Sequence, residues 1–339
     1  MPNLMIRHSK RRFFAGAMLY LTASASFAAE GAGKLPLVAV ADVPLPGDTS
    51  RFDYESYDAD RHLLFIAHLG ASEVLVFDTL KQSVITRIPA VSQVHGVLAV
   101  SELGKVYASA TGSNEVMVID ETTFRVEAHI PGGVYPDGMA YAPEVHKLYV
   151  SDEHGDADTV IDVKTNTRIA TIPLGGEVGN TQYDSRSKHI FANVQTRSQL
   201  VEIDPATDRV VARIDLPGAK GNHGLLIDSA SRRAYIACEG NAKLLVLDLE
   251  TKRIVETIEV GEDPDVLALD SDRRLLYVAG EAGIVTVLST AGEKTAKVGE
   301  ALLGPNAHVV AVDPATHRVY FPLKNLDGKP VLRIMAPKT

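Results

Sequence analysis

One period governs this chain. An aromatic residue inside a short apolar run recurs as LLFIA, KVYAS, KLYVS, HIFAN, RAYIA, LLYVA and RVYFP, centred on Phe65, Tyr107, Tyr149, Phe191, Tyr235, Tyr277 and Tyr320. The intervals are 42, 42, 42, 44, 42 and 43 residues. A second ladder, an apolar run closed by aspartate, ends at Asp78, Asp120, Asp162, Asp204 and Asp248 with the same spacing. Self-similarity at such a period belongs to solenoids, propellers and arrays. Each repeat holds four short runs rich in Val, Ile, Leu and Tyr, separated by turn residues, which reads as a four-stranded antiparallel meander. A parallel β-helix would need rungs much shorter than 42 residues. The expected architecture is an all-β, seven-bladed β-propeller.

Strands are labelled A to D from the axis outward. In the second repeat they are expected near Gly96–Val100, Lys105–Ala110, Glu115–Asp120 and Arg125–Ile130. Asp-x-x-Thr follows strand C at Asp120, Asp162, Asp204 and Asp248, where the Asp and Thr side chains can bond nearby backbone and set the turn. The last repeat ends after its third strand, near Val331–Met335. Leu35–Val43 resembles a D strand, so the N-terminal segment is expected to complete the last blade. That closure would remove two exposed sheet edges.

The N-terminus carries a different message. Arg7, Lys10, Arg11 and Arg12 precede the apolar stretch Phe13 to Phe27, which ends at Ser26-Phe27-Ala28. This reads as a signal peptide, residues 1–28, cleaved after Ala28. A spanning helix needs ~20 apolar residues, and no later segment is long and apolar enough to serve as one. Arg11-Arg12-Phe13-Phe14 only partly matches a twin-arginine signal, so general secretion to the periplasm or exterior is expected. Removing 28 of 339 residues leaves a single domain, 29–339, and takes the formal net charge from −9 to −13. An acidic surface of that size disfavours nucleic acid as a partner. Cys238 is the only cysteine, so no intramolecular disulfide supports the fold.

Pro136-Asp137-Gly138, Tyr149-Val150-Ser151-Asp152 and Thr159-Val160-Ile161-Asp162 closely follow a Pro-x-Gly, Tyr-Val-Thr-Asn and Val-x-Val-Ile-Asp pattern. The repeat therefore resembles the YVTN family of β-propellers over essentially the whole mature chain. The resemblance implies the fold and a periplasmic or surface location. It extends to related propellers that include lactone-cleaving enzymes, lyases and metal-binding proteins. The fourth repeat departs from it, with Gly179-Asn180-Thr181 in place of Pro-x-Gly.

A propeller's ligands usually sit at one mouth of its channel. The residue twelve places before each aromatic opens strand A there: Asp53, His95, Asp137, Gly179, His223, Asp265 and His308. A tight A–B hairpin would set Asp53 opposite His68, Asp137 opposite Asp152 and His223 opposite Cys238, each pair sharing a face. The B–C loops add Glu153, His154, Glu239 and Glu281. His95, His223 and His308 are candidate ligands for Zn²⁺ or copper. Asp53, His68, Asp137, Asp152, His154 and Asp265 are candidate ligand-binding groups around them. A polar collar around a wet channel, a metal site and a metal-free organic site all remain open. The corresponding functions are a binding module for a small molecule, metal ion or periplasmic protein, and a metal-dependent hydrolase (lactonase-like) or lyase. A fold shared by both does not choose between them.

Overall fold

The computed structural model describes residues 34–338; the segment read as a signal peptide lies outside the described residues. Seven four-stranded antiparallel sheets form the ring. Blade 2 is typical: A is Val94–Val100, B Lys105–Ala110, C Glu115–Asp120 and D Val126–Pro131. Strand C is buried along nearly its whole length in each blade because neighbouring sheets cover both of its faces. Strand D alternates half-buried and exposed residues at the rim.

There is no single central core. Buried apolar side chains form seven clusters among the described residues, one between each pair of adjacent blades. Phe65 and Val74 of blade 1, for instance, pack on Val97 and Val106 of blade 2. The repeating aromatics are the largest members of these layers, and Tyr107, Tyr149, Tyr277 and Tyr320 are fully buried. The C–D turns are held as their sequence implies. Asp120 accepts hydrogen bonds from the Thr123 amide (2.8 Å) and hydroxyl (2.9 Å), and Asp248 does the same with Thr251.

The last blade is closed by the N-terminal strand. Leu37–Pro44 pairs antiparallel with Lys329–Pro337, from Leu37 opposite Pro337 to Pro44 opposite Val331. A bidentate pair from Arg333 to Asp42, both bonds 2.8 Å, braces the seam.

At the far end of the channel, blades 1 and 2 are tied by two carboxyls. Glu121, with no exposed surface, packs beside Asp58, and Arg61 is 3.4 Å from Glu121 and 3.8 Å from Asp58. Burial, then the neighbouring Asp58 carboxyl, pushes Glu121 up to about 8. A carboxyl raised from about 4.5 in the unfolded chain binds more protons when folded, so its contribution to stability is lost as pH rises from 4.5 through 8. Glu121→Gln should therefore flatten the stability profile across that window, gaining roughly 2 to 4 kcal/mol at pH 9 relative to wild type. Denaturant melts at pH 5 and pH 9 measure this; parallel profiles for the two proteins would contradict it.

Candidate functional site

The mouth is shaped by a bulge repeated around the ring. In blade 3, Pro136 pairs with Asp152 and Met139 with Val150, so Asp137 and Gly138 together face Ser151 alone. The same two-against-one step occurs at His95-Gly96, Gly179-Asn180 and His223-Gly224. A bulge re-aims the first residue and bends the strand. Glycine is required at the second place in two of these. A Cβ on Gly96 would lie 2.1 Å from the Asp137 carbonyl oxygen, and one on Gly224 would lie 1.8 Å from that of Asp265. Cross-blade hydrogen bonds fix the re-aimed residues. The Ser109 hydroxyl donates to the Asp137 carbonyl (2.8 Å), and the Asn193 amide donates to the His223 and Gly224 carbonyls (2.9 and 3.1 Å).

The extra residue also corrects the expected pairings. Asp152 faces Pro136 rather than Asp137, and Cys238 faces Asn222 rather than His223. In blade 1 the ring of Phe52, not the Asp53 side chain, stacks on His68 at 4.3 Å. Because side chains alternate along a strand, a shift of one residue turns them to the other face. His68 is wholly buried, with Glu73 at 3.4 Å. Asp152 accepts from the Gly133 amide and the Thr159 hydroxyl. Cys238 joins the apolar layer between blades 4 and 5. His154 stands outside the chamber, half-exposed against Tyr135 and 3.5 Å from Glu177.

What remains is a strongly acidic chamber of about 200 Å³, lined by Arg51, Asp53, Tyr54, His95, Tyr135, Asp137, Glu153, His223, Glu239, Asp265 and Glu281. Six carboxylates face one guanidinium. Arg51 bonds Asp53 (3.1 Å) and Glu281 (2.8 Å). Asp137 and Asp265 are 2% and 4% exposed, and one oxygen of each has no protein partner. Burial, then neighbouring carboxylates, raises both well above the usual carboxylate range. Burial likewise lifts Glu239 to about 7, against the pull of His223.

The three candidate histidines do not gather at one point. His95 Nδ1 is 2.9 Å from the Gln93 carbonyl, which can only accept, so that nitrogen carries the proton and Nε2 takes the Tyr135 hydroxyl at 3.0 Å. His308 is fully buried; its Nδ1 donates to the Asn306 carbonyl at 3.1 Å, leaving Nε2 as an unpartnered acceptor. His223 and His308 instead each approach Asp265, at 3.8 and 3.9 Å. Two compact donor groups result: His223 with Glu239 and Asp265, and Asp265 with Glu281 and His308.

Two contributors had gone unread. Tyr54 occupies the place that glycine takes in blades 2, 3 and 5, and it lines both the mouth chamber and a second chamber of about 150 Å³. Its hydroxyl is 3.1 Å from His223 Nε2. Tyr135 sits two residues before the bulge in a left-handed conformation, φ 62°, as do Gln93, Asp263 and Asn306 in their blades. A tyrosine standing where three other repeats have glycine was the available signal for Tyr54.

No family model matches the chain, and no curated protein matches it. Among solved structures it is similar to a chain described as Kuenenia stuttgartiensis hydrazine synthase, at 16% identity and a TM-score of 0.72, covering 87% of this chain and 97% of that one. It is also similar to the structure of U3-55K, at 12% identity and a TM-score of 0.74, covering 87% and 98%. At these identities the likeness concerns the propeller fold alone.

Proposed function

We propose that this protein is an exported propeller of the YVTN-repeat kind whose channel mouth binds a divalent transition metal ion through His223, Glu239 and Asp265. The supporting observation is a set of buried ligand atoms without protein partners: an oxygen of Asp265 and one of Asp137 in the chamber, and His308 Nε2 behind it, 3.9 Å from the Asp265 carboxylate. Buried polar atoms are normally paired, and an orphaned carboxylate oxygen is costly. A cation relieves that cost directly. The donors suit zinc, which accepts imidazole nitrogen and carboxylate oxygen. They suit copper(I) poorly, since Cys238 is turned away into an apolar layer. His308 has the arrangement common to metal-binding histidines, one ring nitrogen held by a backbone carbonyl and the other directed at the site.

Elemental analysis of the mature protein, stripped with chelator, loaded with Zn²⁺ and desalted, tests this reading. Zinc should be retained at one equivalent or more, and His223→Ala should lose at least one. Zinc-free protein that is fully folded would contradict it and leave a wet polar collar. Sequencing of the exported product should begin at Ala29.

A catalytic use of the chamber, as a hydrolase or lyase, is favoured by one observation. The Tyr54 hydroxyl lies 3.1 Å from His223 Nε2 and lines the same chamber, which puts an O–H proton donor in reach of a bound ligand. A lactone and ester panel comparing wild type with Tyr54→Phe separates catalyst from carrier. Turnover lost in Y54F with zinc content unchanged would support catalysis, and no turnover in wild type would exclude it for those substrates.

A further inference from the structure

We infer that the mouth holds two divalent ions, bridged by the carboxylate of Asp265; this rests on the metal reading above. Asp265 is the one residue common to both donor groups, and its two oxygens face different imidazoles. Oδ1 lies 3.8 Å from His223 Nε2, and Oδ2 lies 3.9 Å from His308 Nε2. Glu239 completes the first group and Glu281 the second. Three protein ligands per ion, one of them shared, leave open positions at each, as in two-metal sites whose ions stand ~3.5–4 Å apart.

Charge points the same way. Six carboxylates line the chamber against Arg51 alone. With all six ionised, one divalent ion leaves an excess of three negative charges, whereas two leave an excess of one. Without ions, Arg51 partly meets the demand by holding Glu281 at 2.8 Å. Its side chain is 37% exposed, so the guanidinium can turn toward solvent and release Glu281 to the second ion. Asp265 and His308 are each more than nine-tenths buried, with Asp265 Oδ1 and His308 Nε2 unpartnered in the protein. Both therefore have ligand capacity that the fold does not otherwise use.

The experiment has two arms. Chelator-stripped wild type is loaded with Zn²⁺ and its metal counted, alongside His223→Ala and His308→Ala. Wild type is also loaded with Mn²⁺ and studied by electron paramagnetic resonance, which reports coupling between neighbouring ions and needs no variant to fold. The inference expects two equivalents of zinc in wild type, one in each histidine variant, and an exchange-coupled manganese pair that disappears in Asp265→Asn. One equivalent in wild type, lost in H223A and kept in H308A, would overturn the second ion while leaving the metal function intact. Two equivalents with uncoupled manganese spectra would overturn the bridge. No zinc in wild type would overturn both readings.

Discussion

Deleting residues 35–44 should abolish cooperative folding. The strand Leu37–Pro44 supplies the outer edge of the last blade, with seven paired positions against Lys329–Pro337. Leu35, Leu37 and Leu45, at the strand and its flanks, are 8%, 5% and 6% exposed. Each buried leucine stabilises the fold by ~1.5 to 3 kcal/mol, so removing two of them with the strand already costs on the order of 3 to 6 kcal/mol. Exposing Leu332 and Ile334, both fully buried, adds to that loss. A domain of this kind has only ~5 to 15 kcal/mol in total. The deletion also frees a flat strand edge that can pair with other chains. Far-ultraviolet circular dichroism on heating should show no sharp transition, and the protein should elute as aggregate. Breaking only the ion pair, with Arg333→Ala, should cost under about 1 kcal/mol because that pair is partly exposed. A truncated chain melting at the wild-type temperature would mean that the ring does not depend on this seam.

The second large effect concerns stability against binding. Replacing Asp137 and Asp265 together by Asn should make the metal-free protein more stable at pH 8 and eliminate zinc retention. Both carboxyls are buried with raised pKa values, so keeping them ionised costs folding free energy. For a raised group the sign is unambiguous: stability falls as pH climbs from the unfolded carboxylate range toward the folded value. An amide of the same shape carries no such penalty, and the gain should be on the order of 1 to 3 kcal/mol at pH 8, vanishing near pH 4. Sites that trade stability for ligand capacity behave this way. Chemical denaturation of stripped wild type and variant gives the difference directly. A variant less stable than wild type at pH 8 would mean that these aspartates are structural.

The fold was legible because its evidence is spacing, which survives any detail of geometry. The strands of blade 2 fall within two residues of where the apolar runs place them, and the unpaired last repeat together with Leu35–Val43 announced the closure. The ring of mouth residues at Asp53, His95, Asp137, His223 and Asp265 followed from the same arithmetic, and these five line one chamber. The partners across the hairpin did not follow. The bulge adds one residue to strand A and turns His68, Asp152 and Cys238 to the other face. Gly96, Gly138 and Gly224, each just after the inward residue, carried a hint of it, since glycine inside a strand often marks a bulge or a close backbone approach. Distances across the ring are set by blade packing, which no local pattern encodes. That is why His95 pairs with Tyr135 while His223 and His308 converge on Asp265.

The most direct test is diffraction from crystals of zinc-loaded protein, recorded on either side of the zinc absorption edge. Anomalous density should appear within coordinating distance of the Asp265 carboxylate, next to the imidazole of His223. Clean maps at that place, or density only at the exposed His154 and Glu177, would show that the channel mouth is no metal site.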